Sequence, residues 1–99
     1  MLTKEEIKNK LRQNVNILKK YNVNRIGIFG SFVNGKSTDK SDIDILLGFS
    51  DTITLLQYVH LSDSITGFLN HEVDIVTVNG IKPLLKDSIL KEVEWIEGL

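Results

Sequence analysis

The sequence predicts an α/β (α+β) fold, a small mixed β-sheet backed by helices, on three observations. Segments of helical and strand periodicity alternate in the order α-β-α-β-α-β-α. The first two strand segments are joined by only a tight turn and a loop, whereas a helix separates the second from the third, so antiparallel and parallel pairs are both expected. The chain has 99 residues, 41% of them hydrophobic, enough for one core and too few for two, so residues 1–99 are read as a single domain.

Thr3 and Glu6 have the spacing of a capping box, and Leu2 can staple onto Ile7, which starts the first helix. Ile7, Leu11, Val15 and Leu18 recur on one face, Lys19 and Lys20 suit the C-terminal end, and Asn22 can take the left-handed stop. Val23 to Phe29 reads as a strand broken by Gly30-Ser31. Phe32 to Asn34 has room for one or two helical turns before Gly35 opens the polar loop from Lys36 to Ser41. A second strand is expected over Asp42 to Leu47. Asp51 or Thr52 then caps a long helix ending near Asn70, with Ile53, Leu56, Val59 or His60, Ile65 and Phe68 inward. His71 to Val78 reads as the third strand and Asn79-Gly80 as a turn. Pro83 opens the last helix, which runs to about Lys91, and Val93 to Ile96 suits a short edge strand.

Charge and composition exclude several classes of function. Twelve Lys plus Arg against thirteen Asp plus Glu leave a formal net charge of -1, so no overall positive field draws in polyanions, and no direct nucleic-acid partner is expected. Without cysteine there is no disulfide framework, thiolate metal site or cysteine nucleophile. The charged N-terminus and short apolar runs point to a cytoplasmic protein with no membrane partner.

The chemistry is carried by acids in strands. Asp42 and Asp44 sit two apart and so project from one face, roughly 6 to 7 Å apart, while Ile43 and Ile45 face the core. Asp74 repeats the pattern between Val73 and Ile75. Aspartate is disfavoured in strands, so three such placements need a reason. Two unit charges at about 4 Å repel by about 4 kcal/mol at an effective dielectric of 20, so neighbouring carboxylates take up protons or bind a cation. All-oxygen ligands favour magnesium or manganese, and magnesium completes its shell with water and substrate phosphates, which points to phosphoryl chemistry. Gly30-Ser31 adds a second element. The glycine lets a phosphate approach the backbone, the following amides point at it, and the serine hydroxyl can donate. Lys36 and Lys40 are placed to offset its charge, although loop lysines ordinarily only face solvent.

Gly30-Ser31, ten intervening residues, Asp42-x-Asp44 and a later strand Asp74 together resemble the signature of the DNA polymerase beta superfamily of nucleotidyltransferases, in its shortest form, the minimal nucleotidyltransferases. The resemblance spans nearly the whole chain and implies the polymerase beta-like fold. It implies that Asp42 and Asp44 bind two Mg²⁺ ions, with Mn²⁺ as a substitute, and that Asp74 completes one metal site and activates the acceptor hydroxyl. Gly30 and Ser31 would hold the β- and γ-phosphates of ATP. Family members often carry Ala-Arg-Gly after Gly-Ser-x. Here Val33-Asn34-Gly35 follows Phe32, so an expected cationic contact is missing.

Stand-alone proteins of this size in the family are similar to antitoxins paired with HEPN-domain toxins, in which AMP is added to a toxin tyrosine. The resemblance therefore implies transfer of AMP from ATP to a hydroxyl of a HEPN partner, and homo- or hetero-oligomers stay open. Two rivals are a non-catalytic binding module of the same fold, favoured by the missing arginine, and a small-molecule nucleotidyltransferase, disfavoured by size. His60 and His71 read as structural, and Ser62, Ser64 and Ser88, with no local base, as helix-surface residues. Trp95 reads as sheet-edge packing or a subunit contact, and Phe32 as core.

Overall fold

The computed structural model describes residues 2–99. Thr3 opens α1 (Lys4–Arg12), its hydroxyl oxygen accepting from the Glu6 amide at 3.2 Å. Leu2 packs against the core cluster that contains Ile7. The single helix expected up to Asn22 is divided, and α2 spans Val15–Lys20. Asn14 is the cause. Its side-chain amide donates to the Lys10 carbonyl at 2.7 Å, displacing its own backbone N–H onto Leu11 at 3.1 Å, so the i−4 ladder is interrupted. Asn22 then ends the segment at φ 63°, as expected of asparagine.

Strand β1 is Val23–Phe29, and the single turn α3 (Ser31–Asn34) buries Phe32. Strand β2 runs over Ile43–Phe49, further than the expected Leu47, because Gly48 and Phe49 continue the pairing opposite Arg25 and Val23. The long helix α4 (Leu55–Leu69) is capped by Thr54 rather than Asp51 or Thr52. Thr54 accepts from the Gln57 amide at 3.1 Å while the Gln57 side chain accepts from the Thr54 amide at 2.8 Å, and this reciprocal pair fixes the start. With that start the buried stripe is Leu61, Ile65 and Leu69. Leu56, Val59 and His60 are exposed, and of the expected inner residues only Ile65 is fully buried. Strand β3 is Val73–Thr77, shorter than His71 to Val78, because residues 78–80 tighten into a 3₁₀ turn whose Gly80 amide donates to the Thr77 hydroxyl at 3.1 Å. Helix α5 (Pro83–Glu92) and the two-residue strand β4 (Glu94–Trp95) complete the chain.

The sheet order is β3-β2-β1-β4. β1 pairs antiparallel with β2 and with β4, and β2 pairs parallel with β3, so the sheet is mixed as expected. Ile26, Ile28, Ile43, Ile45 and Leu47 form the inner face and pack with Ile7, Leu11, Leu18, Leu61 and Ile65 of the helices. Leu46 is also fully buried but lies outside this cluster, because its register places it on the opposite face. β4 approaches β1 so closely that a Cβ on Gly27 would stand 2.6 Å from Val93 Cγ2. On the inner side Glu94 binds Lys4 Nζ at 2.9 Å and Lys8 Nζ at 2.6 Å, tying β4 to α1. No helix among the described residues is long and apolar enough to cross a membrane.

Candidate active site

The register assembles the site. Phe29 of β1 pairs with Asp44 of β2, and Asp44 pairs with Asp74 of β3, so these three form one row across the outer face. Behind them runs a second row, Trp95, Gly27, Leu46 and Val76. Asp42 lies just before β2, exposed, as is Asp74, while Asp44 is half-buried. Two of the three expected acids thus face each other on adjacent strands, and the third sits close enough to be felt.

Electrostatics records that proximity. The Asp44 carboxyl is raised from its ordinary 3.8 to about 6, first by burial and then by the charges of Asp74, Asp42 and Glu92. The site therefore carries more negative charge than it neutralises internally. Among the described residues no three acidic or histidine side chains already stand as a metal-binding group. The donor set consists of carboxylates on one face with excess negative charge, which suits a hard cation that takes its remaining ligands from water and phosphate oxygens.

The turn after β1 presses on the same acid. Gly30 has φ 78°, and a Cβ there would collide with the Asp44 carboxylate, so only glycine allows this approach. The Gly30 carbonyl accepts from the Val33 and Asn34 amides, each at 3.0 Å. Ser31 follows, half-buried, while Lys36 and Lys40 are exposed. Gly35 ends the turn at φ 81°.

Four features of the site go beyond the sequence reading. Glu92, at the end of α5, is a fourth acid, and its Oε1 accepts from Asn34 Nδ2 at 3.3 Å. Phe29 flanks Asp44 in the carboxylate row. The hydroxyl of Tyr58 on α4 titrates above its ordinary value through burial and the charge of Asp74. A cleft of about 270 Å³ opens beside Asp74, under Leu85 and Ile89 of α5. The sequence signal for Glu92 was weak, a single acid near the end of a helix with charges on several sides.

Phe32 and Trp95 sit where the sequence placed them, whereas His60 does not face inward. Phe32 is core, meeting the His71 ring edge-on at 5.8 Å between centroids. His60 is exposed, and Trp95 packs at the sheet edge under the Arg25 guanidinium, 4.8 Å from the ring centre.

A mixed sheet with paired strand carboxylates facing a glycine-serine turn defines the class of phosphoryl-transfer enzymes that join nucleotides to acceptors. Residues 5–97 match the family described as Polymerase beta, Nucleotidyltransferase. The chain belongs to that family and is a nucleotidyltransferase. A relative from Methanocaldococcus jannaschii, provisionally named a protein adenylyltransferase, is 45% identical over 87 residues, 88% of this chain and 90% of its own. Protein adenylyltransferase MntA of Thermococcus cleftensis is 34% identical over 97% of this chain and 98% of its own. A solved structure, provisionally named a minimal nucleotidyltransferase, superposes with a TM-score of 0.80 at 28% identity, covering 94% of this chain and 95% of that one. A complex of tri-AMPylated Shewanella oneidensis HEPN toxin with MNT antitoxin gives a TM-score of 0.65 at 19% identity, covering 94% of this chain and 73% of that one. At that identity the likeness speaks for the fold alone.

Proposed function

We propose that this chain transfers AMP from ATP to a hydroxyl, that of a tyrosine, on a HEPN-domain toxin and so acts as its antitoxin. The observation that carries this reading is the register pair Asp44–Asp74, with Asp42 beside it and the backbone of Gly30 packed on Asp44. The names of the two relatives support protein adenylyl transfer, and the HEPN–MNT complex supports the partner.

In this reading Asp42, Asp44 and Asp74 hold two magnesium ions, or manganese in their place. Bound there, the metal neutralises the polyphosphate and stabilises the attacking and leaving oxygens of an in-line displacement. The protein's own residues do the rest. Gly30 lets the β- and γ-phosphates lie against the backbone, and Ser31 donates its hydroxyl to them. Asp74, on the strand furthest from that turn, accepts the proton of the acceptor hydroxyl. The hydroxyl oxygen bonds to the α-phosphorus as the bond to the pyrophosphate oxygen breaks, and pyrophosphate leaves.

Purified chain, α-labelled ATP, magnesium and a HEPN partner should yield labelled partner and pyrophosphate. Label that persists in the Asp42→Asn, Asp44→Asn double variant would remove the carboxylates from the mechanism. A second reading, an antitoxin that blocks its partner by contact alone, is favoured by Asn34. This residue stands where family members often have arginine and is engaged with Glu92. Neutralisation of the toxin by the double variant would select that reading.

A further inference from the structure

Helix α5 buries none of its residues, although it carries Leu84, Leu85, Ile89 and Leu90. Leu85 and Ile89 do not pack into the main core. They roof the cleft of about 270 Å³ whose other apolar walls are Phe29, Val76 and Ile81. Asp74 lines this cleft and Lys82 stands at its rim, whereas Asp42, Gly30 and Ser31 are not among its walls. The cleft therefore lies over the outer face between Phe29, the residue before the glycine-serine turn, and Asp74, and it meets the carboxylate row at Asp74. Its volume falls just below the roughly 300–1,000 Å³ of pockets that enclose drug-sized ligands, so it fits one large side chain rather than a whole small molecule.

We propose that this cleft is the acceptor subsite and that Leu85 and Ile89 are its specificity-determining residues, admitting a phenol and rejecting the shorter hydroxyls of serine and threonine. The assignment rests on the transfer reading above and deepens it. A phenol ring matches an apolar slot, since an aromatic side chain buries a large face and still presents a polar tip. Inserted between α5 and Val76, it delivers its hydroxyl to Asp74. A serine or threonine carries no such apolar face and would leave the walls wet.

The test has two arms, both on the full chain. In the first, N-acetyl-tyrosinamide and N-acetyl-serinamide are titrated against methyl-labelled protein. Tyrosinamide should shift the Leu85, Ile89 and Val76 methyl signals, serinamide should not, and in the Leu85→Ser, Ile89→Ser variant the Val76 methyls should no longer respond. In the second arm, partner labelling is measured with this variant and with Leu84→Ser as control, Leu84 being 96% exposed and outside the cleft. The double variant should raise the KM for the partner by at least about tenfold, the scale of lost apolar contact in a pocket, with the KM for ATP unchanged. Leu84→Ser should alter neither. Leu85 is 52% exposed and Ile89 half-buried, and the methyl spectrum of the rest of the chain reports directly whether the double variant keeps the fold. Equal response to the two amides, no response, or an unchanged partner KM overturns the assignment. Absence of labelling by the wild type together with selective tyrosinamide binding overturns the transfer reading and leaves the cleft standing.

Discussion

Replacing Asp44 with asparagine should stabilise the fold while abolishing transfer. The Asp44 carboxyl titrates near 6 in the folded chain against an ordinary 3.8. Between those values the native state binds more protons than the unfolded one, so Asp44 makes stability fall as pH rises from about 4 to 6. This is the reverse of the usual carboxylate behaviour. The rise from 3.8 to about 6 corresponds to about 3 kcal/mol if the group were sealed from water. Asp44 is only half-buried, so screening leaves about 1 kcal/mol. Urea denaturation with chelator present should therefore show Asp44→Asn more stable than wild type by about 1 kcal/mol at pH 7.5. The difference should shrink as pH falls and vanish near pH 4. A variant no more stable than wild type at pH 7.5 would refute the reasoning, because burial and the charges of Asp74, Asp42 and Glu92 would then not penalise the ionised carboxyl.

Other substitutions test other parts. Gly30→Ala places a Cβ at φ 78° against Asp44 and should cost about 1–3 kcal/mol, read by thermal unfolding, with transfer lost. Leu61→Ala removes a fully buried side chain between α4 and the sheet and should cost about 2–5 kcal/mol in denaturant titration. Thr54→Ala breaks the capping box of α4 and should cost about 1 kcal/mol, visible as faster amide exchange in the first turn of that helix. Lys4 and Lys8 hold the Glu94 carboxyl below its ordinary value, so this tie is fully present above that value and is lost as acid protonates Glu94. Stability of the wild type, but not of Glu94→Gln, should show this acid-side loss, and it should weaken in high salt.

The strands that carry the carboxylates were legible because aspartate is conspicuous among β-branched neighbours. The alternation that puts Ile43 and Ile45 inward necessarily puts Asp44 outward, and the mixed pairing followed from the short β1–β2 connection. The break at Asn14 was hidden because it depends on which carbonyl one side chain chooses. The inner face of α4 differs from the expected one because Asp51, Thr52 and Thr54 are all good caps, and only the Gln57 side chain decides among them. Each residue of displacement turns a helix face by about 100°. The cleft under α5 was illegible for a different reason. The sequence sets only the bounds of that helix, and the tertiary arrangement shows that it leaves Leu84, Leu85 and Leu90 largely uncovered.

Strand β3 lies at the rim of the sheet, with β2 on one side and no strand on the other. An unpaired rim rich in valine and isoleucine invites a foreign strand to zip alongside. The charge of Asp74, on that rim, repels such a visitor, so the carboxylate proposed for the chemistry also keeps molecules apart. Asp74→Asn preparations made to study transfer should accordingly be checked by light scattering, since silencing that acid also removes a guard against self-assembly.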